Sequence, residues 1–335
     1  MKIDVSLTTA MGRDVRTEAE HLEALGFDGL IAAETSHDPF MPLAVAATST
    51  NRVDLMTGIA VAFPRSPMHL ANVGHDLQLS SGGRFVLGLG SQIRAHNEAR
   101  FSTPWFRPAD RMRELILATK SIWRCWNERE PLDFRGEFYT HTLMTPFFNP
   151  GPCEYGPPKI VLAAVGERMT AVAAEVADGI LVHGFTTKLY FESVTQPVIE
   201  RELARGGRAR SDFTVACPVF MVTGDNEQEM VAAATAVRRQ IAFYGSTPAY
   251  RAVLDVHGWG DVQPELNAMS KQGRWREMGE LITDEMLDAF AIVGPRDSIA
   301  ERLRDRFDGQ FDRVAVYAPY ARTYEQWSAD LVKAI

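Results

Sequence analysis

The chain has 335 residues, of which 46 % are hydrophobic and 23 % are charged, a composition typical of a folded protein with a large core and not of a disordered one. Its formal net charge of −8, without any Lys/Arg run, argues against a nucleic-acid partner. The three cysteines are isolated, and neither a signal peptide nor an apolar run of about 18 residues occurs, so we expect a cytoplasmic protein without a metal centre or membrane segment.

Short apolar runs rich in Val, Ile and Leu are predicted to form buried strands. Eight such runs begin, in chain order, at Ile3, Phe27, Val53, Arg84, Lys159, Gly179, Phe213 and Arg313. Helical patterns fill the intervals, over 13–25, 42–49, 109–126, 168–177, 226–243 and 297–307. This alternation predicts a single TIM (β/α)8 barrel domain over 1–335, with its chemistry at the C-terminal ends of the strands. A doubly wound open sheet is the competing fold, and the lack of a full GxGxxG or GxxxxGK[ST] motif weakens it.

The stretch 53–97 contains one complete strand, helix and strand. Pro67 suits the first turn of the helix, which is predicted over 68–79, and Gly82 and Gly83 end it. In a parallel sheet both strands send their C-terminal ends to the same side, so 58–63 and 88–97 are expected to meet there.

Two segments exceed what a minimal barrel requires. Residues 131–158 contain EFYTHTLM, a candidate hairpin, followed by the turn-forming residues 149–152. Residues 244–288 carry Tyr250, Trp259 and Trp275 between short helical patterns. A loop excursion of that length predicts a lid or a pocket wall.

Several motifs resemble the signature of the bacterial luciferase-like flavin and deazaflavin oxidoreductases. They are Thr57-Gly58-Ile59 leading into 64–67, LQLSSGGR from Leu77, and Leu87-Gly88-Leu89-Gly90, with agreement at 34–40, 163–166, 177–179 and 293–295. The chain looks most similar to the branch that uses the 5-deazaflavin coenzyme F420. The resemblance implies a TIM barrel that transfers a hydride between the deazaflavin and a small organic substrate, in either direction. The alternatives are a monooxygenase that uses reduced FMN, O2 and a partner reductase, and a barrel that binds flavin without turnover.

The resemblance also places cofactor contacts at the predicted strand ends. Gly58-Ile59 lies where the family has a non-proline cis peptide against the ring; the alternative is a trans glycine required for close packing. Gly166 precedes a predicted helix whose free N–H groups could bind a phosphate, and His183 could equally form a pocket wall or a simple turn. The residues expected to contact the cofactor are Ser36, Gly58, Ile59, Ala60, Gly90, Ser91, Gln92, Asn97, Ala164, Val165, Gly166, His183 and Gly184.

Residues 34–40 follow the second strand and concentrate ionisable groups where a general acid or base belongs. His37 and Glu34 are the catalytic candidates. Many relatives have Ser-Asp-His here, whereas this chain has Thr35-Ser36-His37 with Asp38 following. The alternative interpretation is a helix-capping Asp38 beside a solvated His37.

Residues 40–47 read FMPLAVAA and are apolar almost all round. An exterior barrel helix does not require this unless something covers it. We therefore predict a homodimer that buries this helix; the alternative is that the hairpin insertion covers it within one chain.

Overall fold

The structure is a computed structural model that describes residues 1–7, 14–307, 309–320 and 327–335. Its strands are β1 Lys2–Ser6, β2 Gly29–Ala32, β3 Asp54–Thr57, β4 Ala60–Val61, β5 Phe85–Gly90, β6 Phe134–Arg135, β7 Thr140–His141, β8 Lys159–Ala164, β9 Gly179–Val182, β10 Thr214–Val222, β11 Ala291–Val293 and β12 Arg313–Tyr317. Its α-helices are α1 Val15–Ala24, α2 Phe40–Ser49, α3 Pro67–Ser80, α4 Pro108–Glu128, α5 Glu167–Val176, α6 Lys188–Tyr190, α7 Gln196–Arg205, α8 Glu227–Gly245, α9 Arg251–Asp255, α10 Val262–Lys271, α11 Asp284–Phe290, α12 Ile299–Phe307 and α13 Trp327–Ala334.

Eight parallel strands close into a barrel in the order β12, β1, β2, β3, β5, β8, β9 and β10. Closure occurs because β10 pairs with β9 through Ala216 and Leu181 and with β12 through Pro218 and Ala315. The predicted TIM barrel is therefore confirmed. The six predicted helices are present as α1, α2, α4, α5, α8 and α12; Arg13, at the predicted start of the first, lies outside the described residues.

The predicted unit over 53–97 folds as β3, β4, α3 and β5. The Oγ of Ser66 accepts a hydrogen bond from the His69 backbone at 3.2 Å and caps α3, and Pro67 occupies its first turn. Beyond the helix, Gly82 and Gly83 have φ of +64° and +87°, which glycine adopts without a steric cost. Strong local signals at both ends explain why this helix was predictable.

The hairpin in the first insertion is confirmed, but it begins earlier than EFYTHTLM. Strands β6 and β7 pair Phe134 with His141 in antiparallel register. Glu114 of α4 holds the turn, because its carboxylate accepts hydrogen bonds from the backbone N–H groups of Glu137, Phe138 and Tyr139 at 2.7 to 2.9 Å. Sequence analysis missed β6 because this strand has only two residues, which are too few to show a periodic pattern. Their partners in β7 lie five and seven positions further along the chain.

The second insertion is an excursion from β10 to β11 that carries α8, α9, α10 and α11. Its apolar side chains pack on Phe220 and Val222 at the end of β10 and form a hydrophobic cluster separate from the main core. The predicted segment 244–288 lies within this excursion, which also includes α8. Among the described residues, no helix has the length and apolar character needed to cross a bilayer.

Candidate active site

The C-terminal end of the barrel forms an open mouth, because side chains alternate between the barrel axis and the outer helices. A buried layer inside the barrel includes Ile31, Met56, Val161 and Ala315. Two residues further along four of these strands, the residue that faces the barrel axis is partly exposed. The residue between it and the buried layer is buried in each case. These mouth residues are Ala33, Gly58, Ala163 and Tyr317.

The Gly58–Ile59 peptide bond is cis, as the resemblance implied. The Gly58 N–H donates to the Ala32 carbonyl at 2.8 Å, and the Ile59 carbonyl accepts from the Glu34 N–H at 3.1 Å. A Cβ at Gly58 would lie 2.4 Å from Cγ2 of Ile31, and one at Gly90 would lie 2.7 Å from Cδ1 of Ile59. Close packing therefore also requires glycine at both positions, but the trans bond of the alternative interpretation is wrong because the bond is cis.

Glu34 belongs to a hydrogen-bond network. Its side chain is 6 % exposed, and Oε2 accepts from the Val61 N–H and from Nη1 of Arg65, each at 2.7 Å. Arg65 also donates to Oδ2 of Asp38 and to the Val61 carbonyl, each at 2.8 Å. The network joins the loop after β2 to the segment after β4. These contacts favour a positioning role for Glu34, whose catalytic role stays a prediction.

His37 and Ser36 are exposed on the loop after β2. Neither side chain has a hydrogen-bond partner within the described residues. The loop itself is held, since Arg100 donates to the Thr35 carbonyl and Oδ1 of Asp38 accepts from the Phe40 N–H at 2.8 Å. A fixed loop therefore carries an unpaired imidazole at the mouth.

Asn97 shapes the loop after β5 from inside. It is fully buried, and its Nδ2 donates to the carbonyls of Ser91 at 2.8 Å and Ile93 at 3.0 Å. Its Oδ1 is a buried acceptor without a partner in the described part of the chain. Gln92 in this loop has a φ of +57° and, like Ser91, is partly exposed. A bound donor could complete the bonding of Asn97.

The end of β8 leads directly into helix α5. Ala164 is buried, Val165 is 39 % exposed, and Gly166 has a φ of +76° with open space where a Cβ would lie. Within the described ranges of the chain, no side chain caps the first turn of α5. Its backbone N–H groups are therefore available to an anion such as a phosphate.

The opposite part of the mouth consists of rings. His183 stacks on Tyr250 with ring centroids 4.6 Å apart and meets Tyr244 edge-on at 4.7 Å. Tyr317 stacks on Phe220 at 4.7 Å, and its hydroxyl lies 3.0 Å from that of Tyr244. We call His183, Phe220, Tyr244, Tyr250 and Tyr317 the aromatic side, and Glu34, Asp38, Arg65, Asn97 and Arg100 the polar side.

Two aromatic-side residues titrate outside their ordinary range. Burial lowers the pKa of His183 to about 4, so its ring is neutral near pH 7. Burial, with a smaller contribution from Tyr244, raises the pKa of Tyr250 to about 12. Gly184, the next residue after His183, packs closely against β10, because a Cβ there would lie 3.1 Å from the Pro218 carbonyl.

Sequence reasoning missed five residues of this site, namely Arg65, Arg100, Phe220, Tyr244 and Tyr317. Arg65 lies within the 64–67 motif, where an arginine close to a buried carboxylate was the available signal. Tyr244 and Tyr317 are 73 positions apart and bond each other, which no local pattern indicates. Within the described residues, no three His, Cys, Asp or Glu side chains are grouped so that they could hold a metal ion.

Comparison with known proteins agrees with this architecture. The pattern of the family described as luciferase-like monooxygenase matches residues 2–313. The chain is 55 % identical over 314 residues to an uncharacterised protein of Mycobacterium tuberculosis, covering 94 % of this chain and 92 % of that one. It is 30 % identical over 283 residues to the 5,10-methylenetetrahydromethanopterin reductase of Archaeoglobus fulgidus, covering 83 % and 80 %.

A solved structure has the same fold. The coenzyme F420 dependent tetrahydromethanopterin reductase from Methanopyrus kandleri superposes with a TM-score of 0.79 at 21 % identity, covering 99 % of this chain and 97 % of that one. At this identity the match shows the fold alone. Together with the family pattern over nearly the whole barrel, it establishes that the chain belongs to the luciferase-like monooxygenase family.

Proposed function

We propose that the protein is an F420-dependent oxidoreductase that transfers a hydride between the deazaflavin and a small organic substrate. The observation that carries the proposal is the two-sided mouth, in which the small residues Ala33 and Gly58 follow β2 and β3, across the barrel from the ends of β9 and β10 that carry the aromatic side. The third small residue, Ala163, lies on β8 beside β9. Small residues leave room for a flat ring, and the rings opposite supply an apolar surface for a second molecule. The similarity to a methylenetetrahydromethanopterin reductase supports the same reaction class.

The residues present fit a cofactor with a flat polar ring and a phosphate. The unpaired Oδ1 of Asn97 and the partly exposed Ser91 and Gln92 would bind the ring edge. The uncapped start of α5 at Gly166 would bind the phosphate. When bound, the deazaflavin supplies a ring carbon that accepts or donates a hydride.

Side chains of the protein would position the loop after β2 and move the proton that accompanies hydride transfer. His37 is the exposed imidazole on the loop after β2, and a histidine suits proton exchange with the substrate near neutral pH. Glu34 and Arg65 hold that loop through bonds to β4. Ser36, beside His37 on the same exposed loop, is proposed as a contact to the cofactor.

Titration of the purified protein with coenzyme F420, with FMN and with the phosphate-free deazaflavin core tests the assignment. We expect F420 to bind and the phosphate-free core to bind at least tenfold more weakly, because the start of α5 would lose its anion. Submicromolar binding of FMN without binding of F420 would overturn the proposal in favour of a reduced-FMN monooxygenase. Binding of F420 without oxidation of the reduced form by any unsaturated or carbonyl compound would favour a non-catalytic barrel.

We propose a homodimer as the assembly. Within one chain, packing against α1 and α3 buries much of α2, including Phe40, Leu43 and Ala46, yet Met41 remains 56 % exposed. Light scattering at micromolar concentration should give a dimer for the wild type and a monomer for Met41→Asp. Val231→Asp, at a residue that is 60 % exposed on α8, is the matched control and should remain dimeric. A monomeric wild type would contradict the proposal.

A further inference from the structure

His183 lies inside the mouth, near the peptide that the cofactor is proposed to cover. Cδ2 of Leu181 lies 3.8 Å from the position that a Cβ at Gly58 would occupy. Since side chains two residues apart on a strand point the same way and lie about 6.6 Å apart, His183 projects into the mouth one layer above the Leu181–Gly58 contact. Its partial exposure, next to the buried Val182, agrees with this direction.

The hydrogen bonds of the ring determine which nitrogen carries the proton. Nδ1 accepts a hydrogen bond from the Phe185 N–H at 3.0 Å. A neutral imidazole that accepts at Nδ1 carries its proton on Nε2. This Nε2–H has no acceptor among the described residues. The Nε2–H of His183 is therefore a donor whose direction is fixed by the ring, whereas the nearby hydroxyls of Tyr244, Tyr250 and Tyr317 can rotate.

Among the described residues, the side chains packed against this donor are uncharged, flat rings. One face of the imidazole is covered by Tyr250 and its edge by Tyr244. Among the described residues of the polar side, Glu34, Asp38 and Arg65 are paired with one another, and Arg100 donates to the Thr35 carbonyl. A charged ligand on the aromatic side would lose its hydration without gaining a counter-ion.

We infer that His183 determines specificity by donating a hydrogen bond from Nε2–H to the carbonyl oxygen of a flat, uncharged, conjugated substrate that packs on Tyr244 and Tyr250. This inference rests on the proposed function and names its substrate class. A conjugated carbonyl satisfies the donor with its oxygen and the rings with its planar skeleton. The conjugated carbonyl is the oxidised form of the substrate. His183 would therefore bind it as the reactant or as the product, depending on the direction of hydride transfer.

Binding of benzylideneacetone, labelled with 13C at the carbonyl carbon, tests the inference on the full chain. In the wild type we expect the infrared carbonyl stretch to move to lower wavenumber, because the oxygen accepts a hydrogen bond. His183→Phe keeps a ring but removes the donor, so the stretch should return to its value in an apolar solvent. The dissociation constant should rise about fivefold to tenfold, the usual effect of losing one neutral hydrogen bond.

Two comparisons make the test specific. Tyr250→Leu removes the stacked ring but keeps the donor, so binding should weaken while the shifted stretch persists. Cinnamate has the same planar skeleton with a carboxylate, and we expect it to bind at least tenfold more weakly than the ketone. Equal stretch and affinity in wild type and His183→Phe, or tighter binding of cinnamate, would overturn the inference.

A measurement on the wild type does not depend on whether the variants fold. In 15N-histidine spectra, Nε2 of His183 should be protonated, and its resonance should move when the ketone binds. A proton on Nδ1, or an unchanged resonance at saturation, would contradict the inference. If F420 binds but these signals are absent, only the inference about His183 fails. If F420 does not bind but the signals depend on His183, the cofactor assignment fails and the recognition of the carbonyl by His183 stands.

Discussion

The two sides of the mouth are held together by different interactions. On the polar side, loops after β2, β4 and β5 are joined by directional bonds, such as those from Arg65 to Glu34 and Asp38 and from Arg100 to the Thr35 carbonyl. On the aromatic side, the ends of β9, β10 and β12 meet the excursion mainly through stacked rings and one pair of tyrosine hydroxyls. A single lost partner should therefore cost more on the polar side than on the aromatic side.

This difference has a physical origin. Breaking a buried ion pair leaves an uncompensated charge, which costs several kcal/mol. A ring pair contributes only about 0.5 to 1.5 kcal/mol beyond its buried area and tolerates small changes in shape. A polar side of this kind keeps one cofactor geometry, whereas an aromatic side can accept a class of related substrates. Substitutions on each side test this contrast, because their effects should differ in size.

The largest effect is expected at His37. His37→Ala should lower turnover about 10²- to 10⁴-fold, the usual range for a general acid or base, while F420 affinity changes little. Turnover of reduced F420 with a conjugated ketone can be followed by the return of the oxidised absorbance. His37→Asn should behave similarly because an amide cannot carry the proton.

His96→Ala is the matched control, since His96 is an exposed histidine further along the loop after β5, and it should retain turnover. An asparagine variant at His37 with wild-type turnover and an unchanged pH profile would assign proton transfer to Glu34, Asp38 or a bound water.

The next largest effect concerns the ion pair of the polar side. Arg65→Met leaves the Glu34 carboxylate, 6 % exposed, without its cation and should lower the free energy of unfolding by about 3 kcal/mol. Arg113→Met is the control, because its partner Glu175 is 44 % exposed, and should cost about 0.5 kcal/mol. Urea denaturation measures both. Equal costs would show that the Glu34 network is not a buried pair in solution and would remove the contrast between the two sides.

On the aromatic side, a pH effect is expected from His183. Its folded pKa of about 4 lies below the unfolded value of about 6.5, so the unfolded chain binds the proton more readily between these pH values. Stability should therefore fall as pH decreases from about 6.5 to 4, by about 2 kcal/mol after allowance for partial exposure. His183→Phe should lose this part of the pH dependence. An identical slope in both proteins would contradict the burial of the ring.

The smallest effect is expected at the tyrosine pair. Tyr244→Phe removes the hydroxyl that lies 3.0 Å from that of Tyr317 and keeps the ring, so we expect a loss of about 1 kcal/mol in the free energy of unfolding. Tyr155→Phe, at a half-exposed tyrosine, should change it by less than about 0.5 kcal/mol. A loss at Tyr244 as large as that of Arg65→Met would show that the aromatic side is as rigid as the polar side.

Local patterns in the amino-acid sequence were enough to predict the barrel, its eight strands and seven of its helices, including α3. Buried parallel strands give continuous apolar runs, and α3 carries its own start and stop signals in Ser66, Pro67 and Gly82. These signals are local, so they can be recognised without knowing the partners. Strand β11 was missed because it has three residues and exists only through pairing with the extended end of β10.

The roles of the mouth residues depend on contacts that form only in the folded barrel. The sequence placed Glu34 and His37 together as acid–base candidates, yet the fold pairs Glu34 with Arg65, and His37 has no partner among the residues that the structure describes. Likewise, the ring contacts of His183 come from Tyr244 and Tyr250, more than 60 positions away. Burial, pairing and proton position depend on groups that barrel closure and the excursion bring together, and no periodicity within one segment encodes such distant contacts.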